Sequence, residues 1–358
     1  MNILYIMSVY NVFGGTPKKT LELIKNTENK SYLYIYEKGY EEFKYLFEEA
    51  GANITEGYFG RNLFKHIKSL LEVVDHNNIQ IVQTQFSMGE VLGVLIKILR
   101  PKVKLIVTFE SALDPGFFKK QILNSLYKKV DAFVFISNYV QENKTKQYPI
   151  LLKSYSKVIY NGTEVRKITE EDCPVIRPTS LLVVAELIKL KNIATLIDAI
   201  NFIVNNMKLN DINLYIVGDG PLRDVLFNKI KSYDLSKNVF ILGHQKNIGG
   251  LLAACDIFVH PSYAEGFGIA VAEAMLAQKP IIVANAGALP ELIENEKTGL
   301  VIEPFDVRAW VDAIIRLIKD KELSRKISLN AKKKAEVEFS IEIYVTNYKQ
   351  LYIDLLTN

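Results

Sequence analysis

Two glutamates eight residues apart, Glu265 and Glu273, bracket Gly266-Phe267-Gly268 in the stretch DIFVHPSYAEGFGIAVAEAMLAQKPIIVANAGALPELI, residues 256–293. An apolar strand pattern ends at His260, a loop follows, and a helical pattern begins near Gly268. The glycines carry no Cβ, so backbone can approach a ligand there. The amides of Gly268 and Ile269 fall in a first helical turn, where donors lack intrahelical acceptors and the dipole is positive. Such a turn suits a pyrophosphate, and Glu273 on the helix can accept two hydrogen bonds from a vicinal diol such as a ribose. Taken alone, two glutamates at this spacing are a weak signal and read first as solvated helix charges.

Other residues have the types that phosphate and sugar chemistry use. Lys191, in VAELIKLKN (184–192), reads by itself as a surface charge, although a mobile ammonium is a group that suits a diphosphate. FGGTPKK (13–19) follows the first strand pattern with a glycine pair but is not GxGxxG, so a dinucleotide-binding reading loses its main support. Glu110 follows a strand pattern in TFESALDP (108–115), and Gln85 follows another in QTQFSMG (83–89). VGDGP (217–221) reads by itself as a plain turn, and Asp219 is not half of a DxD metal motif. His260, at a strand end, reads as a structural hydrogen-bonder rather than a base.

The elements that must position these residues alternate along the chain. Apolar runs at 2–8, 31–37, 79–84, 104–109 and 131–137, and again at 180–186, 212–218, 238–243, 256–260 and 280–285, are separated by helix-length amphipathic stretches. Unbroken apolar runs between helices indicate parallel strands buried on both faces. The expected fold class is α/β, with two doubly wound Rossmann-like domains. The polar, proline-bearing segment 163–179 is the candidate linker. The tail 340–356 predicts a helix with Ser340 as N-cap and Ile343, Tyr344, Asn347, Tyr348, Leu351 and Leu355 near one face. Open α/β sheets bind ligands at strand C-termini, and helix N-termini favour phosphates. Architecture alone therefore points to a nucleotide or phosphorylated ligand without naming a reaction.

At 358 residues, with 49% hydrophobic and 23% charged, the chain has the composition of a two-domain globular protein. MNILYIMSV reads as a first strand rather than a signal peptide, and no apolar stretch is long enough for a bilayer span. Cys173 and Cys255 are isolated and lack metal-ligand spacing, which suits a reducing cytoplasm. The net charge of +4 is uneven: residues 1–165 carry 21 Lys+Arg against 16 Asp+Glu, and residues 100–157 carry 11 against 4. This basic zone contains PGFFKKQILNSLYKKV (115–130), which reads as a basic amphipathic helix over 117–129. Such a helix can lie on an anionic membrane surface or cover the sheet with its lysines in solvent. No nucleic-acid-binding module is recognisable, so no nucleic-acid partner is expected.

The 256–293 segment resembles the signature of the retaining glycosyltransferases of family 4, which have the GT-B fold. Their E-x7-E element is matched by Glu265 and Glu273. VIYNG (158–162) resembles the family's interdomain entry, VGDGP its glycine turn, and NVFILGH (238–244) the strand whose following loop holds the nucleobase. The resemblance implies two facing Rossmann-like domains with a cleft. An acceptor-binding domain would span 1–165 and a nucleotide-sugar domain 166–338, with a helix at 339–358 crossing back to the first. It implies that Glu273 binds the donor ribose, that Glu265 and the backbone of Gly266, Phe267 and Gly268 contact the sugar, and that Ile269 meets the pyrophosphate. Lys191 matches a phosphate-binding lysine, Gly15 the glycine pair near the donor phosphate, and Gly243 and Gln245 the nucleobase loop. Glu186 stands where the family has a phosphate-binding arginine, with Lys189 a substitute. Glu110 and Gln85 stand where histidines are frequent.

The implied activity is transfer from a nucleotide diphosphate sugar, UDP favoured over GDP, to a glycan or lipid-linked acceptor in cell-envelope synthesis. No cofactor or metal is expected. Retention is implied by the resemblance alone. Front-face attack, with the departing phosphate taking the acceptor proton, needs only Lys191 and helix amides. A double displacement needs a carboxylate nucleophile, for which Glu110 is the one unusual candidate. Catalytic candidates are thus Lys191, Glu265 and Glu110. The alternative is a non-catalytic nucleotide-sugar-binding partner, which Glu186, Glu110 and Gln85 would suit.

Overall fold

Apolar, β-branched runs pair most readily where both faces of a sheet are covered, and they do so here in two separate parallel sheets. The computed structural model describes residues 1–12, 15–114, 116–164, 176 and 179–357, with the side chains of all of these except 86–87 and 117–119. Phe13, Gly14, Pro115, Cys173 and most of the candidate linker lie outside the described residues. The chain divides into two units, Met1–Gly162 with Ile341–Asn358, and Thr163–Ser340.

The first unit holds strands β1 (Asn2–Met7), β2 (Lys30–Ile35), β3 (Asn53–Glu56), β4 (Ile81–Gln85), β5 (Lys104–Phe109), β6 (Ala132–Phe135) and β7 (Ser156–Val158). They form one sheet in the order β3-β2-β1-β4-β5-β6-β7. The second unit holds β8 (Ser180–Val184), β9 (Asn213–Val217), β10 (Val239–Gly243), β11 (Ile257–His260), β12 (Ile281–Ala284) and β13 (Leu300–Ile302), in the order β10-β9-β8-β11-β12-β13. All these strand pairs are parallel. Each sheet runs outward in one direction from its first strand and then reverses. The switch points lie between β1 and β4, and between β8 and β11, where such sheets open a ligand crevice.

The helix Ile341–Thr357 belongs to the first unit and buries Ile341, Tyr344, Val345, Tyr348, Leu351, Tyr352 and Leu355. The buried stripe differs from the expected one. Ile343 is 36% exposed, and Asn347 is also exposed. The stripe shares one core with Tyr5, Met7, Leu33, Ile106 and Val134 of the sheet. Tyr352 donates to Oε1 of Gln83 on β4 at 2.7 Å inside that core, which satisfies the hydroxyl that the helix carries in with it.

Helix Phe117–Leu126, continued by a 3₁₀ turn at Tyr127–Lys129, occupies the basic amphipathic segment. Leu123 and Tyr127 are buried, and the Tyr127 hydroxyl donates to Glu90 Oε2 at 2.8 Å. Ile122, at 61% exposure, stays outside with Lys128 and Lys129. The segment's described apolar side chains are therefore divided between core and surface. Among the described residues no helix is long and apolar enough to cross a membrane.

Candidate active site

β8 and β11 are adjacent at the second unit's switch point, so the loops leaving their C-termini meet. The loop after β8 turns through Lys189–Lys191 into the helix Ile193–Asn201. Its turn is held by Asn192, in the left-handed region at φ 52°, whose Nδ2 donates to the Pro304 carbonyl at 2.7 Å. The loop after β11 is tied to the same turn, since both the Tyr263 amide and the Ser262 hydroxyl donate to the Leu190 carbonyl at 3.1 Å.

These ties bring Lys191 Nζ to 2.5 Å from Glu265 Oε2, with His260 Nε2 at 3.1 Å from the same oxygen. Burial pushes the Glu265 carboxyl up, but the His260 hydrogen bond and the Lys191 charge outweigh it and hold it at about 2. Glu265 is therefore ionised at neutral pH, with the ammonium of Lys191 beside it.

Glu265 is also fixed through its backbone. Its carbonyl accepts from the Ala288 amide at 2.9 Å. Gly287, at φ 59°, packs so closely that a Cβ there would sit 2.4 Å from the Glu265 carbonyl oxygen. Gly268 caps the helix Ile269–Leu276 at φ 108°, ψ 60°, a conformation that a residue with Cβ rarely adopts. Phe267 is buried edge-on to Phe339, with ring centroids 5.5 Å apart. Ile269 takes the first helical position. Glu273 lies on the same helix, partly exposed, and its Oε1 accepts from the Thr163 hydroxyl at 3.4 Å.

The glycines of VGDGP are used inside the protein. A Cβ on Gly218 would lie 2.0 Å from the Ala185 carbonyl oxygen, and one on Gly220 would lie 2.8 Å from the Leu187 amide nitrogen. The turn thereby braces the loop that carries Glu186 to Lys191. Glu186 and Lys189 are exposed. Gly243 ends β10 at φ 69°, and the Arg223 guanidinium, paired with Asp219 at 3.0 Å, lies 3.5 Å from where its Cβ would be. Gln245 is exposed and donates to the Leu242 carbonyl at 2.7 Å.

Gly15 and Glu110 belong to the first unit. Gly15 opens the helix Gly15–Lys25 and is exposed. Glu110 follows β5, is partly buried, and takes a hydrogen bond from Thr16 in that helix's first turn. Burial raises its carboxyl from an ordinary 4.5 to about 7, against the pull of the Lys19 charge and the Thr16 bond. Lys19 is itself buried and donates to the Gly162 carbonyl. Gln85 is buried and bonded to the Thr20 hydroxyl at 3.2 Å, a structural partnership.

A carboxyl raised on folding binds a proton that the unfolded chain has already lost, so Glu110 makes stability fall as pH rises from about 4.5 to about 7. The full shift corresponds to roughly 3 kcal/mol. Glu110→Gln is expected to remove this part of the difference between urea melts at pH 5 and pH 8. An unchanged difference would contradict the assigned shift.

Lys191, Glu265, His260 and the Gly268 helix cap form one constellation, with a cation and a helix N-terminus at the edge where open α/β sheets bind ligands. Residues 176–334 match the family model Glycosyl transferases group 1. The matched segment contains every one of these residues. The chain is 35% identical over 169 residues to the UDP-Gal:alpha-D-GlcNAc-diphosphoundecaprenol alpha-1,3-galactosyltransferase of Escherichia coli. It is 33% identical over 168 residues to the N-acetyl-alpha-D-glucosaminyl L-malate synthase of Bacillus anthracis. Each match covers 47% of this chain and 43% of the relative. The chain thus spans under half the length of these curated relatives.

In three dimensions it is similar over 100% of its length, and over 99% of the other chain, to a glycosyltransferase from Rickettsia africae ESF-5, with a TM-score of 0.87 at 21% identity. It is similar over 99% of its length, and all of the other chain, to Anabaena Alr3699/HepE in complex with UDP and glucose, with a TM-score of 0.85 at 21% identity. At such identity the likeness establishes the fold, two Rossmann-like halves of the GT-B type.

Sequence reasoning did not single out Asn192, Thr163, Gly287 or Lys19. Gly287 falls within the quoted ANAGALPELI, but its contact with Glu265 depends on the packing of a loop from the next strand. Lys19 looks like any helical surface lysine until the fold buries it.

Proposed function

We propose that this chain is a glycosyltransferase that takes a sugar from a nucleotide diphosphate donor bound by the second unit. The observation that carries the reading is the meeting of Lys191 and Glu265, 2.5 Å apart, in the group 1 domain beside the Gly268-capped helix. On this reading Glu273 holds the ribose, Glu265 and the backbone of 266–268 hold the sugar, and the amides at Gly268 and Ile269 meet the pyrophosphate. Gly243 and Gln245 border the nucleobase. Lys191 stabilises the charge that develops on the departing phosphate, a contribution made in the transition state.

The phosphate charge is met without a metal, by Lys191 and helix amides, with Lys189 or Arg223 supplying the cation that Glu186 does not. UDP is the favoured nucleotide, supported by the names of the Escherichia coli relative and the Anabaena complex. The acceptor is a glycan or lipid-linked saccharide of the cell envelope, reached from the cytoplasm. Transfer retains configuration by front-face attack. Glu110, with its carboxyl near neutrality, suits proton exchange with a hydroxyl better than attack as a permanently charged nucleophile. Gly15 lies next to Thr16 at the start of that same helix.

Glu273→Ala is expected to weaken UDP binding by about 1.5–3 kcal/mol, the scale for hydrogen bonds to a charged group. Isothermal titration would measure it, and an unchanged UDP affinity would remove the donor anchor.

The exposed Lys128 and Lys129, with the half-buried Lys120 and the exposed Ile122, support peripheral contact with an anionic membrane. Each lysine near such a surface contributes about 1 kcal/mol. Replacing Lys119, Lys120, Lys128 and Lys129 by glutamine should release the protein from anionic vesicles in a sedimentation assay, as should added salt. Equal, salt-insensitive partitioning of both proteins would leave these lysines as a solvated face.

A further inference from the structure

His260 is 3% exposed, ends β11, and lies nearly parallel to the Phe258 ring at 10°. Its Nε2 is 3.1 Å from Glu265 Oε2, the oxygen that also takes the Lys191 ammonium. A carboxylate held at about 2 only accepts hydrogen bonds at neutral pH, so His260 Nε2 must be the donor. Nδ1 is buried and has no partner among the described residues. A proton there would be an orphaned donor, which costs about 1–3 kcal/mol. The imidazole is therefore the Nε2–H tautomer, a fixed donor rather than a proton shuttle.

Both donors converge on Oε2. Oε1 takes no partner among the described residues, and the Glu265 side chain keeps 15% exposure. The two donors differ in kind. Lys191 Nζ ends a flexible stem and is to follow the phosphate, whereas the imidazole is rigid and packed at a strand end. Only the rigid donor can hold the carboxylate plane when the lysine moves.

We propose that His260 is a positioning residue, which by anchoring Glu265 Oε2 keeps Oε1 directed to a hydroxyl of the transferred sugar and leaves Lys191 free to engage phosphate. This rests on the donor-site reading above and adds to it a residue that touches neither substrate.

The test uses the full chain with His260→Phe, which keeps the ring and its stacking, and His260→Gln, which offers an amide N–H near the Nε2 position. The probes are UDP and a panel of UDP-glucose, UDP-galactose and UDP-N-acetylglucosamine. His260→Phe should bind UDP within about twofold of wild type, yet hydrolyse the preferred UDP-sugar about 10- to 100-fold more slowly, the scale for a mispositioned site group. His260→Gln should recover most of that rate. Wild-type hydrolysis by His260→Phe, or an equal loss of UDP affinity, would overturn the role. A second readout needs no ligand. Imidazole ¹⁵N spectra of the apo protein should show a protonated Nε2 and an unprotonated Nδ1, and the Nδ1–H tautomer would overturn the proposal outright. Failure of wild type to bind any UDP compound would instead sink the donor-site reading, while the tautomer measurement still judges His260.

Discussion

Lys191→Ala should lower the rate of donor cleavage by about two to three orders of magnitude, the range for removing one preorganised charge-stabilising donor. The loss should fall mainly on kcat. Affinity for the intact donor should change far less, because the charge that Lys191 meets is largest as the phosphate departs. The structure adds a second consequence. Without the ammonium, Glu265 keeps only the His260 hydrogen bond against its burial. Its titration should therefore move up from about 2. Stability that wild type retains until pH falls from the ordinary 4.5 towards 2 should be lost at higher pH in the variant. Parallel steady-state kinetics and acid melts would show both. Equal losses in donor affinity and turnover would mean that the lysine holds only the ground state.

Truncation after Ser340 should abolish folding of the first unit. The missing helix buries seven apolar or aromatic side chains in the first unit's core. At about 1.5–3 kcal/mol for each large buried side chain, their loss reaches roughly 10–20 kcal/mol. That matches or exceeds the ~5–15 kcal/mol by which a domain is stable at all. It would also strand buried polar groups, since Gln83 accepts from Tyr352. Limited proteolysis of the 1–340 fragment should digest residues 1–162 while sparing much of 163–340. A protected first unit in that fragment would contradict the packing.

The ten strands with long apolar runs were legible because strands buried on both faces cannot hide their composition. The three strands that went unread, β3, β7 and β13, all sit at sheet edges. Their sequences NITE, SKV and LVI are short, and their positions are mostly half-exposed or exposed. An edge strand has one neighbour and one open side, so it carries a weaker hydrophobic signal. The placement of Glu265, Gly268 and Glu273 on a strand-loop-helix followed directly from local pattern. That Lys191 and Glu265 pair, 74 residues apart, did not. Only the reversal of strand order between β8 and β11 brings their loops together. His260 was readable as a hydrogen-bonding strand end, but its partner was not. The basic segment 117–129 shows a related limit. Interleaved lysines and apolar residues look the same whether the apolar ones meet lipid or core, and here Leu123 and Tyr127 meet core.

The proposed activity is cleavage of a nucleotide diphosphate sugar at the Lys191–Glu265 site without a metal. The most direct measurement is nucleoside diphosphate release by the purified full chain from a panel of UDP- and GDP-sugars, in chelator, beside Lys191→Ala. Slow release from one preferred UDP-sugar is expected, unaffected by chelator and lowered about 100-fold or more in the variant. Release that requires added manganese, or that Lys191→Ala performs as well as wild type, would contradict it.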